Sequence, residues 1–127
     1  MKKYLSFLLP LLLLAGCKAP VEEAGYRQIT MDEAIAIMEE ETGYLILDVR
    51  TPEEFRDKHI PGAINIPNET IGSDEIPELP GKDHLILVYC RSGNRSKQAA
   101  EKLVALGYIN IAEFGGINDW PGETVSE

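Results

Sequence analysis
The stretch from Leu85 to Leu106 leaves this chain few folds to choose from. Leu85-Ile86-Leu87-Val88-Tyr89 is a continuous apolar run of strand length, without the alternation of a strand wetted on one side. It runs directly into Cys90-Arg91-Ser92-Gly93-Asn94-Arg95-Ser96, and a helical pattern follows from Ser96 to Leu106. In that pattern Ala99, Ala100, Leu103 and Leu106 lie inward, and Gly107 stands where the helix would stop. A strand buried on both faces and followed by a helix belongs in a parallel sheet covered by helices.

The rest of the chain repeats the alternation. Thr30-Met31-Asp32-Glu33 is a capping box that predicts a helix to about Thr42, with Ala34, Ile35, Ile37 and Met38 inward and Gly43 at its end. Tyr44 to Val49 reads as a second buried strand, with Asp48 near its end. Thr51-Pro52-Glu53-Glu54 starts a short helix with proline in its first turn. Pro61-Gly62 is a turn before a short strand at Ala63 to Ile66; residues 68–80 are irregular. Asn110 to Glu113 is the last strand, and Gly115-Gly116-Ile117 reads as a turn leading into a short helical piece at Trp120. The predicted class is α/β, with a mostly parallel central sheet flanked by helices on both faces.

Chemistry concentrates at Cys90. A thiol where a buried strand stops, under a basic loop and at a helix start, sits where cysteine pKa values fall and nucleophiles are made. Ligands of open α/β sheets also bind there, off the carboxyl ends of the strands. Gly93 and the small Ser92 let the backbone curl so that successive N–H groups point inward as an anion nest. The helix start adds partial positive charge. Between Leu85 and Ala100 stand Arg91, Arg95 and Lys97 and no acid, although the chain as a whole has 12 Lys+Arg against 21 Asp+Glu. Such a cationic island suits a thiolate and an anionic substrate. The candidate site is therefore Cys90 as nucleophile, with Arg91, Ser92, Gly93, Asn94, Arg95 and Ser96 as its binding loop.

A net charge of −9 argues against nucleic acid as a partner. His59 and His84 stand far apart, and no Cys/His cluster has metal spacing, so no metal or other cofactor is expected.

The N-terminus reads as a targeting segment. Lys2 and Lys3 precede the apolar run Leu5 to Ala15, which is too short to span a bilayer and fits a signal peptide. Leu14-Ala15-Gly16-Cys17 is similar to the bacterial lipoprotein box at every position. That resemblance implies cleavage before Cys17, a lipid on its thiol and an acyl chain such as palmitate on the freed amine. The expected organisation is a signal peptide at 1–16, lipidated Cys17 with a polar tether at 17–28, and one domain at 29–127. The expected location is the bacterial cell envelope, anchored by lipid outside the cytoplasm. Cys90 would then be the single free thiol of the mature protein, with no resolving partner.

Three blocks in order resemble a single-domain rhodanese, the sulfurtransferase module. The first is Leu47-Asp48-Val49-Arg50 with Glu53-Glu54-Phe55 and His59-Ile60-Pro61-Gly62-Ala63-Ile64-Asn65-Ile66-Pro67. The second is the Cys90 loop, and the third is Gly115-Gly116-Ile117 with Trp120. Lys58 departs from the glycine usual in that family. The resemblance implies that Cys90 takes a sulfane sulfur from a small anionic donor such as thiosulfate. The resulting persulfide would pass it to a thiol or cyanide. It also implies loop support from Asp48 and Arg50, read as a buried ion pair of structural meaning rather than as reacting groups, structural roles for His59, Trp120, Gly115 and Gly116, and a monomer. The alternatives are a sulfur carrier or a binding or sensing module with little turnover. A cysteine phosphatase is a more distant one, because Arg95 comes one position too early for that loop.

Overall fold
The computed structural model describes residues 25–127, and the signal peptide, Cys17 and most of the tether expected from the sequence lie outside them. In chain order the elements are β1 (Arg27–Gln28), α1 (Met31–Glu40), β2 (Tyr44–Asp48), α2 (Pro52–Asp57), β3 (Ile64–Asn65), β4 (Leu85–Cys90), α3 (Asn94–Ala105) and β5 (Ile111–Gly116). The strands form one sheet in the order β1-β5-β4-β2-β3. Every pairing in it is parallel.

Side-chain alternation divides the core into two layers. Leu47, Val49, Ile86, Val88 and Cys90 face Ala99, Ala100 and Leu103 of α3. Ile46, Leu87, Tyr89, Ala112 and Phe114 face the other way, toward Ala34 of α1 and Phe55 of α2. The central strand β4 is covered on both faces, which is why its sequence is apolar throughout. Both short helices begin as the sequence predicts. Thr30 and Thr51 accept from the backbone N–H of Glu33 and Glu54, and each glutamate reaches back to its threonine's N–H.

The structure corrects three boundaries. Residues 26–28 belong to the domain rather than to a tether: Tyr26 is buried, and β1 pairs with Ala112 and Glu113 of β5. A two-residue strand carries no periodicity, so its partner far along the chain is what creates it. Helix α3 begins at Asn94, ahead of Ser96, because Gly93 at φ +116° turns the chain and serves as its N-cap. Finally, Gly115 and Gly116 continue β5 instead of forming a turn, and Gly116 pairs with Cys90 past an irregularity in β4.

Candidate active site
Cys90 is the last residue of β4, and only 1% of its surface is exposed. The chain leaves it by folding back over β5. A Cβ on Gly116 would lie 1.9 Å from the carbonyl oxygen of Arg91 and 2.5 Å from the nitrogen of Ser92. Gly116 has extended backbone, so glycine is required there for space rather than for conformation. The N–H of Asn118 donates to the same Arg91 carbonyl at 3.2 Å and fixes the turn.

Within this turn the sulfur meets backbone N–H groups and one hydroxyl. The N–H of Gly93 donates to Cys90 Sγ at 3.0 Å, and Ser96 Oγ lies 3.5 Å from it. Burial pushes the Cys90 pKa up and is the largest single influence. It is outweighed by the Ser96 hydroxyl and by the N–H groups of Ser96, Gly93 and Ser92, so the thiol stands below its ordinary value. The sequence placed the two arginines among the causes; the leading ones are amides and a hydroxyl.

The arginines are engaged elsewhere. Arg95 forms a fork on Glu54, with N–H···O distances of 2.8 and 3.1 Å. Arg91 is 3.7 Å from the same carboxylate and stays largely exposed. Glu54 is also the third residue of α2, where it accepts from Thr51 N–H at 3.0 Å. Arg95, ahead of the capping contacts, holds the Glu54 carboxyl at about 2. The cationic island read from the sequence is thus partly neutralised by an acid from another element, and Arg95 serves as a clamp between α3 and α2. Ser92 and Asn94 are exposed, and Ser96 is wholly buried.

Asp48 and Arg50 form a buried ion pair at 2.7 Å. Tyr89 O–H donates to Asp48 at 2.6 Å, the Ile60 N–H donates to Tyr89 at 3.1 Å, and Arg50 donates to the Lys58 carbonyl at 2.6 Å. Burial first, then Asp48, pushes the Tyr89 phenol well up, so it stays a donor. These bonds tie β2 to β4 and to the end of α2. The pair is buried and structural, and it reaches Cys90 through the neighbouring Tyr89. A cleft of about 270 Å³ beside the loop is lined by Arg50, Glu54, Lys58, Arg91 and Asn118, among others. His59 stacks on Phe55 with ring centroids 3.7 Å apart and bonds the Phe55 carbonyl through Nδ1.

Glu113 escaped the sequence reading. It is buried in β5 beneath the loop, and its Oε2 accepts from Ser96 Oγ at 2.5 Å and from Gly115 N–H at 2.9 Å. Its signal was an acid inside the apolar run Ile111-Ala112-Glu113-Phe114. Glu54 had no comparable signal, because a capping glutamate is sufficient reason for its presence.

The sequence model described as "Rhodanese-like domain" matches residues 30–123. The chain is 38% identical over 73 residues to the thiosulfate sulfurtransferase PspE of Escherichia coli, spanning 58% of this chain and 70% of that one. It is 34% identical over 105 residues to the thiosulfate sulfurtransferase GlpE of Pseudomonas syringae, spanning 79% and 95%. Of the longer fungal proteins called adenylyltransferase and sulfurtransferase that it also matches, it spans 20% to 25%. Among solved structures it is similar to one described as "rhodanese with anions from E. coli", with a TM-score of 0.60 and 34% identity over 66% of this chain and 99% of that one.

Proposed function
This chain belongs to the rhodanese-like domain family, and from that premise we propose that it is a sulfurtransferase working through a persulfide on Cys90. The Cys90 thiolate attacks the outer sulfur of a thiosulfate-like donor. The donor's S–S bond breaks, and sulfite leaves with the bonding pair. The enzyme then carries Cys90–S–S⁻. An acceptor thiolate or cyanide attacks the outer sulfur, and Cys90 departs again as thiolate. Each step moves a negative charge within a few ångströms of the same sulfur, and fixed donors aimed there stabilise it without reorganising.

One observation carries the reading: Gly93 N–H at 3.0 Å and the Ser96 hydroxyl at 3.5 Å converge on Cys90 Sγ. The exposed Arg91 is the charge best placed to meet an anionic donor. The relatives' printed names, thiosulfate sulfurtransferases, support the choice of donor class. Incubation with thiosulfate should add the mass of one sulfur atom, and cyanide should remove it as thiocyanate. Cys90→Ser should gain nothing. A wild-type protein that acquires no sulfur, or a Cys90→Ser protein that does, would sink the mechanism. We also read Cys17 as a lipid anchor that holds the domain at the bacterial envelope, with a donor and acceptor small enough to reach the buried sulfur.

A further inference from the structure
The cleft beside the loop opens between two walls. Lys58, at the end of α2, stands on one, and Arg91, the residue after Cys90, stands on the other. The backbone of Lys58 is pinned: its carbonyl accepts from the Arg50 guanidinium at 2.6 Å, and its N–H donates to the Glu54 carbonyl at 3.2 Å. That backbone is extended, at φ −167° and ψ 148°, so it carries a side chain without strain. The side chain is exposed, and among the described residues it makes no ion pair. Arg91 is held by no more than the 3.7 Å contact with Glu54. Two cations on fixed backbone therefore face one cleft with little to occupy them.

The acids of the cleft do not cancel them. Glu54 is gripped by Arg95 through both oxygens, and Arg50 is matched by Asp48. Setting those pairs aside leaves Lys58 and Arg91 against Asp57, a surplus of one positive charge in a protein of net charge −9. Such a place attracts an anion. The lining also says how far that anion's charge lies from its reacting sulfur. Cys90 is not part of the cleft wall, which ends at Arg91. In a thiosulfate-like donor the charged group is one S–S bond, about 2 Å, from the sulfur that reacts, so both stay together in the loop. A charge that reaches Lys58 belongs to a longer molecule, with a few carbons between sulfur and oxyanion. The cleft, of about 270 Å³, has room for such a chain.

We propose that Lys58 and Arg91 form an acceptor subsite for the carboxylate of a small thiol, and that Lys58 sets the preference for that class. The inference rests on the sulfurtransferase reading. The acceptor thiolate attacks the outer sulfur of Cys90–S–S⁻. A bond forms between the acceptor sulfur and the outer sulfur, the bond to Cys90 Sγ breaks, and its electron pair leaves with Cys90 as thiolate. The acceptor departs as a persulfide anion. The two sulfur charges that enter the step are both present at its end, and the carboxylate is unchanged. Held at the cleft, the carboxylate orients the attacking sulfur, and the two cations ease the approach of one anion to another. Donor and acceptor visit the sulfur in turn, so Arg91 meets both and Lys58 meets the acceptor.

The probes are 3-mercaptopropionate and its neutral amide, offered to protein already loaded with sulfur from thiosulfate. Comparing the ratio of their rates between wild type and variant removes the thiols' own reactivities. Lys58→Gln should lower the ratio about two- to fivefold, the range for one exposed ion pair, and Lys58→Glu should lower it further. Added salt should bring the wild-type ratio down toward that of Lys58→Gln. A Lys58→Glu ratio equal to the wild-type ratio would overturn the subsite. So would slower loading by thiosulfate with the ratio intact, which puts Lys58 on the donor side. Alkylation of unloaded Cys90 by 3-bromopropionate and by its amide repeats the comparison without any sulfur donor, and its ratio should fall in the same order. Where loading occurs, the transfer ratio decides. If thiosulfate loads nothing and the alkylation ratio falls, the sulfurtransferase reading fails and the cleft still selects carboxylates. If thiosulfate loads nothing and that ratio holds, both fail.

Discussion
Cys90 and Gly116 stand opposite each other across two parallel strands, and the loop's backbone lies in the space a side chain would need. The donors around the sulfur belong to that same backbone, so the position of one methyl group decides whether they converge. Gly116→Ala is expected to lift the loop at Arg91 and Ser92. The cost should be about 1–3 kcal/mol, as for overpacking of a filled core. The alkylation midpoint of Cys90 should return toward the free-thiol value of about 8.5 as the amides withdraw. Thermal unfolding and pH-dependent alkylation measure the two effects; a variant unchanged in both would mean the loop does not depend on Gly116. At this scale the sequence was legible for Cys90 and for the glycines as a motif. It was silent on Glu113, whose meaning comes from Ser96 packing above it.

Between elements, Glu54 joins two jobs in one carboxylate: it caps α2 and grips Arg95 of α3. Its folded pKa is depressed from 4.5 to about 2, so it contributes stability that is fully present above 4.5. That contribution is lost as pH falls from 4.5 toward 2. Glu54→Gln is expected to remove this acid limb from the stability profile and to cost about 1.5–3 kcal/mol at neutral pH, the range for hydrogen bonds to charged groups. Denaturant titrations of both proteins across that pH range measure it, and superimposable profiles would refute the clamp. Helices α1 and α2 and strands β2 and β4 were legible because capping boxes and apolar runs are local signals. The clamp was not, since nothing in Glu53-Glu54 distinguishes a capping glutamate that also binds an arginine from a distant helix. Likewise β1 exists only through its pairing with β5.

For the whole molecule, the proposed placement depends on Cys17 alone. No helix among residues 25–127 is long and apolar enough to cross a membrane, and a net charge of −9 opposes binding to anionic lipid. Acyl chains contribute about 0.8 kcal/mol per buried CH₂, and two or more convert reversible binding into stable anchoring. A form beginning at Lys18 behind a cleavable secretory signal is expected to leave the membrane fraction entirely and keep its reaction with thiosulfate. Retention in the pellet after a salt wash would disprove a Cys17-only anchor. The α/β class and the parallel sheet were readable from the alternation of apolar runs and capped helices. Which acids would face the loop was not, because sheet order decides it, and order is a property of contacts between distant segments.

The enclosure of Cys90 also sets its company. With 1% of the residue exposed, the closed loop leaves the sulfur almost no open surface. A thiol on another folded protein would meet first the loop whose Arg91 carbonyl is held by Asn118 N–H. An acidic thiol ordinarily risks capture in mixed disulfides. Here the backbone acts as a molecular sieve, and the nucleophile keeps its reactivity by being out of reach of its own kind.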